Sequence, residues 1–278
     1  MSDSPSSVLT DTFTLANGVR IPKVGFGTWQ IPDGSEAYDS VRTALDAGYR
    51  HLDTAAAYGN ESSVGRAVRD SGVDRGDVFI TTKLKAEIKD ADGARSAFEQ
   101  STRDLDLGVI DLYLIHAPWP WQDMGSDHRQ GNIAVWRVFE ELLAAERVRS
   151  IGVSNFEVAD LESLTGATEV VPHANQIRWF IGNTQPETTA FCSGRGILVE
   201  GYSPLATGKL LDDDRLTSLA EKYGVTPAQL SIRYLLEHDV LPLPKSVTPE
   251  RIRSNAQLDF DLDPDDVAAL DGLSNSVD

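Results

Sequence analysis

Along most of this chain, short apolar runs alternate with amphipathic stretches of helical period. The apolar runs fall at residues 24–26, 51–53, 78–82, 111–115, 150–153, 173–177, 197–202 and 240–243. Between most of them lie helical patterns at 35–47, 62–70, 93–104, 132–147, 156–164, 184–193 and 227–238. Their ends carry punctuation: Ser35 opens the first and Gly48 stops it, while Thr226 and Pro227 stand where a cap and a first helical residue belong. Two strands joined by a helix lie parallel, because a tight turn cannot return the chain in the same direction. Further helices are expected at 211–223 and at 264–273. Ahead of the alternation, TFTLANGVRI (12–21) holds two short alternating runs around Asn17-Gly18, a hairpin signal too early to pair with much and therefore expected to cap something larger.

Eight strand–helix units leave two α/β architectures. A doubly wound sheet that binds a dinucleotide carries G-x-G-x-x-G after its first strand. Here that turn reads Gly25-Phe26-Gly27-Thr28-Trp29-Gln30, lacks the third glycine and runs on into Pro32. The pattern predicts a closed (β/α)8 barrel, a TIM barrel, with an N-terminal β-hairpin cap. No linker or composition break divides residues 1–278, so one domain is expected.

Composition excludes more than it selects. With 43 acidic against 25 basic residues the net charge is −18, which disfavours nucleic acid and anionic membranes as partners. There is no apolar run of the roughly 18 residues that a spanning helix needs, and MSDSPSSVLT lacks the basic and apolar regions of an export signal. A single cysteine, Cys192, fits a reducing compartment. These readings predict a cytoplasmic protein, and an edge-free barrel needs no partner, so a monomer is expected.

Barrel chemistry sits at the carboxyl ends of the strands. Those ends carry Asp53, with Tyr58 in the following loop, then Lys83, His116, Ser154-Asn155, Asn175-Gln176, Tyr202-Ser203 and Lys245-Ser246. Lys83 emerges from the apolar run VFITT, where an uncompensated ammonium is costly, and Asp53 on the adjacent strand can pair with it. A cation near the Tyr58 hydroxyl is expected to lower its pKa from about 10 and make it a general acid. His116 can hydrogen-bond a substrate carbonyl and orient it. Lys245, Ser246, Arg251 and Asn255 surround the start of a helix at Thr248-Pro249, a phosphate-binding arrangement. Two separated cations there suit a ribose 2′-phosphate, which favours NADPH over NADH. Tyr202 can stack on a nicotinamide, and Ser154, Asn155 and Gln176 can hydrogen-bond its amide. Taken singly, each of these residues also has a bland reading, as a structural ion pair, a packed aromatic or a solvated charge. Their convergence on successive strand ends is what speaks for a site.

The stretches GFGTWQ, GYRHLDTAAAYGNESSVGRAV, FITTKL, IDLYLIHAPWP, IGVSNF, ANQI, GYSPLATGKL and LPKSVTPERIRSN together resemble the aldo-keto reductase superfamily, in its prokaryotic, diketogluconate-reductase-like branch. The resemblance implies a (β/α)8 barrel that reduces aldehydes, diketo sugars or similar carbonyls with NADPH. It implies a catalytic tetrad at Asp53, Tyr58, Lys83 and His116. Cofactor contacts are implied at Thr28, Trp29, Asp53, Ser154, Asn155, Gln176, Tyr202, Ser203, Pro204, Leu205, Lys245, Ser246, Val247, Arg251 and Asn255. The expected substrate pocket is Trp29, Tyr58, His116 and Trp119, with Trp121, Met124 and Phe26 as further walls.

Three departures stand out. Ile177-Arg178-Trp179-Phe180-Ile181 replaces the usual Val-Glu-Tyr-His-Pro, Ser254 replaces a Glu or Gln, and the tail after Leu273 is short, implying an open pocket. The alternative to an enzyme is a cofactor-binding, redox-sensing subunit with little turnover. A hydrolase using Asp and His with a metal lacks ligand spacing, and no metal is expected.

Overall fold

A computed structural model describes residues 8–273. The ends of the expected 1–278 domain, including most of the MSDSPSSVLT start and the tail past Leu273, lie outside the described residues. In chain order the elements are β1 (Thr12–Thr14), β2 (Arg20–Pro22), β3 (Phe26–Gly27), α1 (Ser35–Asp46), β4 (His51–Asp53), α2 (Glu61–Arg69), β5 (Phe79–Leu84), α3 (Ala91–Leu105), β6 (Ile110–Ile115), α4 (Arg129–Ala144), β7 (Val148–Ser154), α5 (Val158–Thr165), β8 (Ala174–Arg178), α6 (Pro186–Ser193), β9 (Leu198–Tyr202), α7 (Asp214–Tyr223), α8 (Pro227–Glu237), β10 (Leu241–Leu243), α9 (Pro249–Ser254) and α10 (Pro264–Asp271).

Strands β3 to β10 form one eight-stranded sheet in chain order, every neighbouring pair parallel. Its two edges meet: Gly25 N–H donates to Pro242 O at 3.0 Å and Gly27 N–H to Pro244 O at 2.9 Å, so the sheet closes on itself. The barrel read from the sequence is therefore the barrel found. At the seam the glycines donate and the prolines, which have no N–H, only accept.

Two apolar layers hold it. The larger lies between the strands' outer faces and the helices, around Val64, Ile80, Phe98, Tyr113, Trp136, Phe139, Leu230 and Tyr234. The smaller fills the barrel's lower interior with Phe79, Leu112, Leu114, Leu241 and Leu243, joined by Leu15 and Ile21 of the hairpin. The β1–β2 hairpin thus caps that end as expected, turning at Gly18 with φ 83°. Asn17 ties it to the barrel through its amide, which donates to Arg149 O at 2.9 Å.

Local capping explains where some helices differ from their sequence patterns. Glu157 and Asp160 form a reciprocal capping box, so α5 begins at Val158 rather than at 156. The extra helix expected over 211–223 is split. Residues Ala206–Asp212 form tight turns around positive φ at Thr207 and Gly208, and α7 starts only after Asp213 caps it.

The helical layer tolerates little added volume where α2 crosses the end of α3. A Cβ on Gly65 would lie 1.9 Å from the backbone oxygen of Leu105, which no side-chain rotation can relieve. Gly65→Ala is expected to destabilise the fold by about 1–3 kcal/mol, the usual cost of overpacking, measured as a fall in the urea midpoint with an unchanged m-value. An unshifted midpoint would show that the two helices can part freely.

Candidate active site

Lys83 sits at the end of an all-buried strand, and its side chain has no solvent exposure. A buried ammonium without partners would cost several kcal/mol; here it has four acceptors. Its Nζ donates to Asp53 Oδ1 and Oδ2 at 2.8 and 2.7 Å, to Thr54 O at 2.9 Å and to the Tyr58 hydroxyl at 3.3 Å. Neighbouring strands β4 and β5 bring Asp53 and Lys83 to the same end of the barrel. A single tight turn, Ala56–Tyr58, followed by Gly59 at φ 70°, folds Tyr58 back over them, with Nζ 5.0 Å from the ring centroid. Burial pulls the Lys83 pKa down, but Asp53 and Tyr58 outweigh it and hold the ammonium above its ordinary value.

Tyr58 corrects an expectation. Burial raises the phenol and the nearby Asp53 carboxylate adds to that, while Lys83 opposes both; the net direction is upward. The resting Tyr58 is a firmly protonated phenol rather than an acidified one. His116 is pushed the other way, down to about 3, first by burial and then by the Lys83 charge, so its imidazole is neutral. Its ring packs edge-on against Tyr58 at 5.5 Å and against Trp121 at 5.5 Å. Its Nδ1 is buried without a protein partner.

A hydrogen-bonded chain continues from this cluster around the mouth. The Gln176 amide donates to Asp53 Oδ1 and to Glu200 Oε2, both at 2.8 Å. Ser154 Oγ donates to the Gln176 backbone oxygen at 2.8 Å and accepts from the Asn155 amide at 3.0 Å. Asn155 also donates to His116 O and accepts from the Tyr202 hydroxyl at 2.8 Å. Asn155 and Ser203, like Gln30 and Thr207 across the mouth, hold positive φ, a backbone conformation that side chains disfavour and that gathers at binding sites.

All of this opens into one cavity of about 1040 Å³. Of the expected residues its lining contains Trp29, Asp53, Tyr58, His116, Ser154, Asn155, Gln176, Tyr202, Ser203, Pro204, Leu205, Lys245, Ser246, Arg251 and Asn255. The lining does not include Lys83, which is bonded to Asp53 and Tyr58, nor Thr28, Trp119 or Val247. Thr28 is fully buried and its hydroxyl donates to Asp53 O, propping the strand end from behind. Trp119 is half-buried and braces Trp121 edge-on at 5.2 Å; Trp121 is the indole on the cavity. Val247 is 38% exposed. Phe26 packs on Tyr49 in the layer between strands and helices, and Met124, 68% exposed, stands outside the lining.

Several lining residues had not been assigned from the sequence: Gln30, Thr207, Gly208, Leu211, and Thr226, Pro227 and Ala228 at the start of α8. Arg178 had been noted only as a departure. It lines the cavity with its guanidinium 5.0 Å over the Phe180 ring, while Trp179, Phe180 and Ile181 are buried in the core. Among the described residues no carboxylate pairs with Arg178, Lys245 or Arg251, although the chain carries 43 acidic residues.

Comparison with known proteins agrees with this geometry. A family model described as Aldo/keto reductase family matches residues 23–275. The chain is 42% identical over 267 residues to a glyoxal reductase of Bacillus subtilis, covering 96% of this chain and 94% of that protein. It is 39% identical to an aldehyde reductase of Saccharomyces cerevisiae, covering 95% and 90%. Among solved structures, an aldo/keto reductase from Brucella melitensis superposes with a TM-score of 0.88 at 42% identity, covering 94% and 98%. An aldo-keto reductase from Bombyx mori solved in complex with NADP gives 0.85 at 34% identity, covering 94% and 92%.

The neutral state of His116 is directly testable. Its depressed folded pKa means that acidification opposes folding: the stability it contributes is present above the ordinary histidine value of about 6.5 and is lost as pH falls toward about 3. His51 in the barrel floor, also pushed to about 3, acts with the same sign. Both imidazoles are expected to show neutral ring-nitrogen signals by NMR at pH 5, and stability is expected to fall between pH 6.5 and 4. An imidazolium at residue 116 at pH 6 would refute this.

Proposed function

The chain belongs to the Aldo/keto reductase family, and on that footing we propose that it reduces aldehydes and ketones to alcohols with NADPH, the proton coming from Tyr58. The observation that carries this reading is one cavity lined both by Asp53, Tyr58 and His116, with Lys83 bonded to the first two, and by three cations that have no carboxylate partner among the described residues. A cavity of this volume, lined by three cations and by the polar cluster, fits a phosphate-bearing dinucleotide. Lys245, Ser246 and Arg251 are placed to hold the ribose phosphate, with Asn255 and Ser254 beside them for the adenine. Arg178 lies next to Tyr202 in the β8–β9 register and adds a third cation to the lining. Tyr202, Ser154, Asn155 and Gln176 line the end near Tyr58, where the nicotinamide belongs. Bound NADPH supplies a hydride to the carbonyl carbon.

The chain's own groups do the rest. Neutral His116 offers a ring nitrogen to the carbonyl oxygen and fixes its direction. The Tyr58 hydroxyl donates its proton to that oxygen as negative charge develops there. Lys83 faces the phenolate left behind and stabilises it, and Asp53 keeps Lys83 charged and in place. The mouth is flanked by Trp29, 44% exposed, and Trp121, 38% exposed, which suits carbonyls with a flat or apolar face as well as small aldehydes. The relatives' glyoxal and aldehyde reductase activities agree with that range. The same reading treats the chain as a single-domain cytoplasmic monomer; among the described residues no helix is long and apolar enough to cross a membrane.

Tyr58→Phe is expected to lower turnover by about 10²–10⁴-fold, the range for general acids, while NADPH still quenches tryptophan fluorescence with unchanged affinity. Aldehyde reduction at the normal rate by this variant would remove Tyr58 from its role. Arg251→Ala is expected to weaken NADPH by about tenfold or more, the worth of a charged hydrogen bond, and to leave NADH binding unaltered. Equal losses for both nucleotides would show that Arg251 does not read the 2′-phosphate.

A further inference from the structure

Glu200 has no place in the chemistry described so far. It lies within β9, is fully buried, and is bonded only through Oε2; its Oε1 has no partner. A buried carboxyl with one oxygen unpartnered is weak evidence for a stabilising role, since burying polar groups without full pairing costs free energy. What it does touch is Gln176. The two hydrogens of the Gln176 amide go to two carboxyl groups, Asp53 Oδ1 and Glu200 Oε2. Turned by half a revolution, the amide would aim its carbonyl oxygen at the Asp53 carboxylate, which repels it, and would leave Glu200 Oε2 without its donor. With Asp53 alone, one hydrogen is left without a partner and the amide can rotate away. Two acceptors define its plane and its polarity together.

Gln176 lines the cavity, and among the described residues no N–H or O–H donates to its Oε1. With both hydrogens committed inward, Oε1 is its one polar atom left for a ligand, and it is purely an acceptor. Resting on the NADPH reading above, we infer that Glu200 is a positioning residue: it locks the Gln176 amide so that Oε1 accepts from the NH2 of the nicotinamide carboxamide, and thereby fixes which way that carboxamide is turned. Ser154 and Asn155 stand beside Gln176, but each acceptor there already takes one bond, Ser154 Oγ from Asn155 and Asn155 Oδ1 from Tyr202, whereas Gln176 Oε1 has both lone pairs free of protein donors among the described residues.

The test compares the affinity of NADP+ with that of its acetylpyridine analogue, in which a methyl group replaces the carboxamide NH2. The full-length wild type is expected to prefer NADP+ by about tenfold or more, because the analogue leaves Oε1 unpaired. In Glu200→Leu that preference is expected to shrink to within about threefold, since the freed amide no longer demands a donor. Glu200→Gln, whose carbonyl can still accept from Gln176, is expected to restore the wild-type preference. A merely structural role would weaken both nucleotides alike and leave their ratio unchanged in Glu200→Leu, which would overturn the proposal. A wild-type preference below about threefold would overturn it without any variant, so the idea stays falsifiable should Glu200→Leu fail to fold. If the wild type binds neither nucleotide, the NADPH reading itself fails. If it binds NADP+ but the ratio ignores residue 200, only the role of Glu200 does.

Discussion

The ammonium of Lys83 is the constraint around which the mouth of the barrel is organised. It is fully removed from water, so it persists only where negative charge and lone pairs are supplied on several sides. Asp53 supplies the charge, Thr54 a backbone oxygen and Tyr58 a hydroxyl. Asp53 in turn holds Gln176, and the Gln176 backbone oxygen holds Ser154, so the demands of one cation reach from β4 across the barrel to β9. Such a network has few alternative arrangements, which gives the site the rigidity that positioned proton transfer needs.

Two titratable groups beside that cation are displaced in opposite directions, with one outcome. Burial raises the Tyr58 phenol and lowers the His116 imidazole, so both rest in their neutral forms. Groups whose environments drive their pKa values apart mark acid and base assignments. Here neither residue is a ready base. One is a protonated donor facing a cation that will welcome its conjugate base; the other is a neutral donor that brings no competing positive charge. A site of this kind favours giving a proton to an oxygen that is gaining electrons.

The barrel was legible because periodicity and loop punctuation are local signals, and the cluster was legible because its members stand at strand ends, where the fold itself points side chains into the mouth. What the sequence hid depends on three-dimensional detail. Trp119 and Trp121 are two residues apart in one loop, and only their packing shows that the first braces and the second lines the cavity. The sign of the Tyr58 shift depends on how far burial outweighs Lys83, a balance of magnitudes that a residue pattern does not carry. Thr28 belongs to the expected contacts by motif, yet its hydroxyl turns to the backbone of Asp53. Glu200 sits inside the run LVEGY, where it reads as the polar member of a strand; its significance appears only when β8 sets Gln176 beside it.

The three cations of the cavity belong to a molecule whose overall charge is −18. Ions in solution screen fields beyond about 8 Å at physiological strength, but act weakly inside a walled cavity. An anionic ligand approaching from afar therefore meets a repulsive envelope before it senses Arg178, Lys245 and Arg251. The envelope is what salt removes most readily, and the inner attraction is what salt removes last. With like net charges on protein and ligand, the rate of encounter is expected to rise with ionic strength, the opposite of an oppositely charged pair.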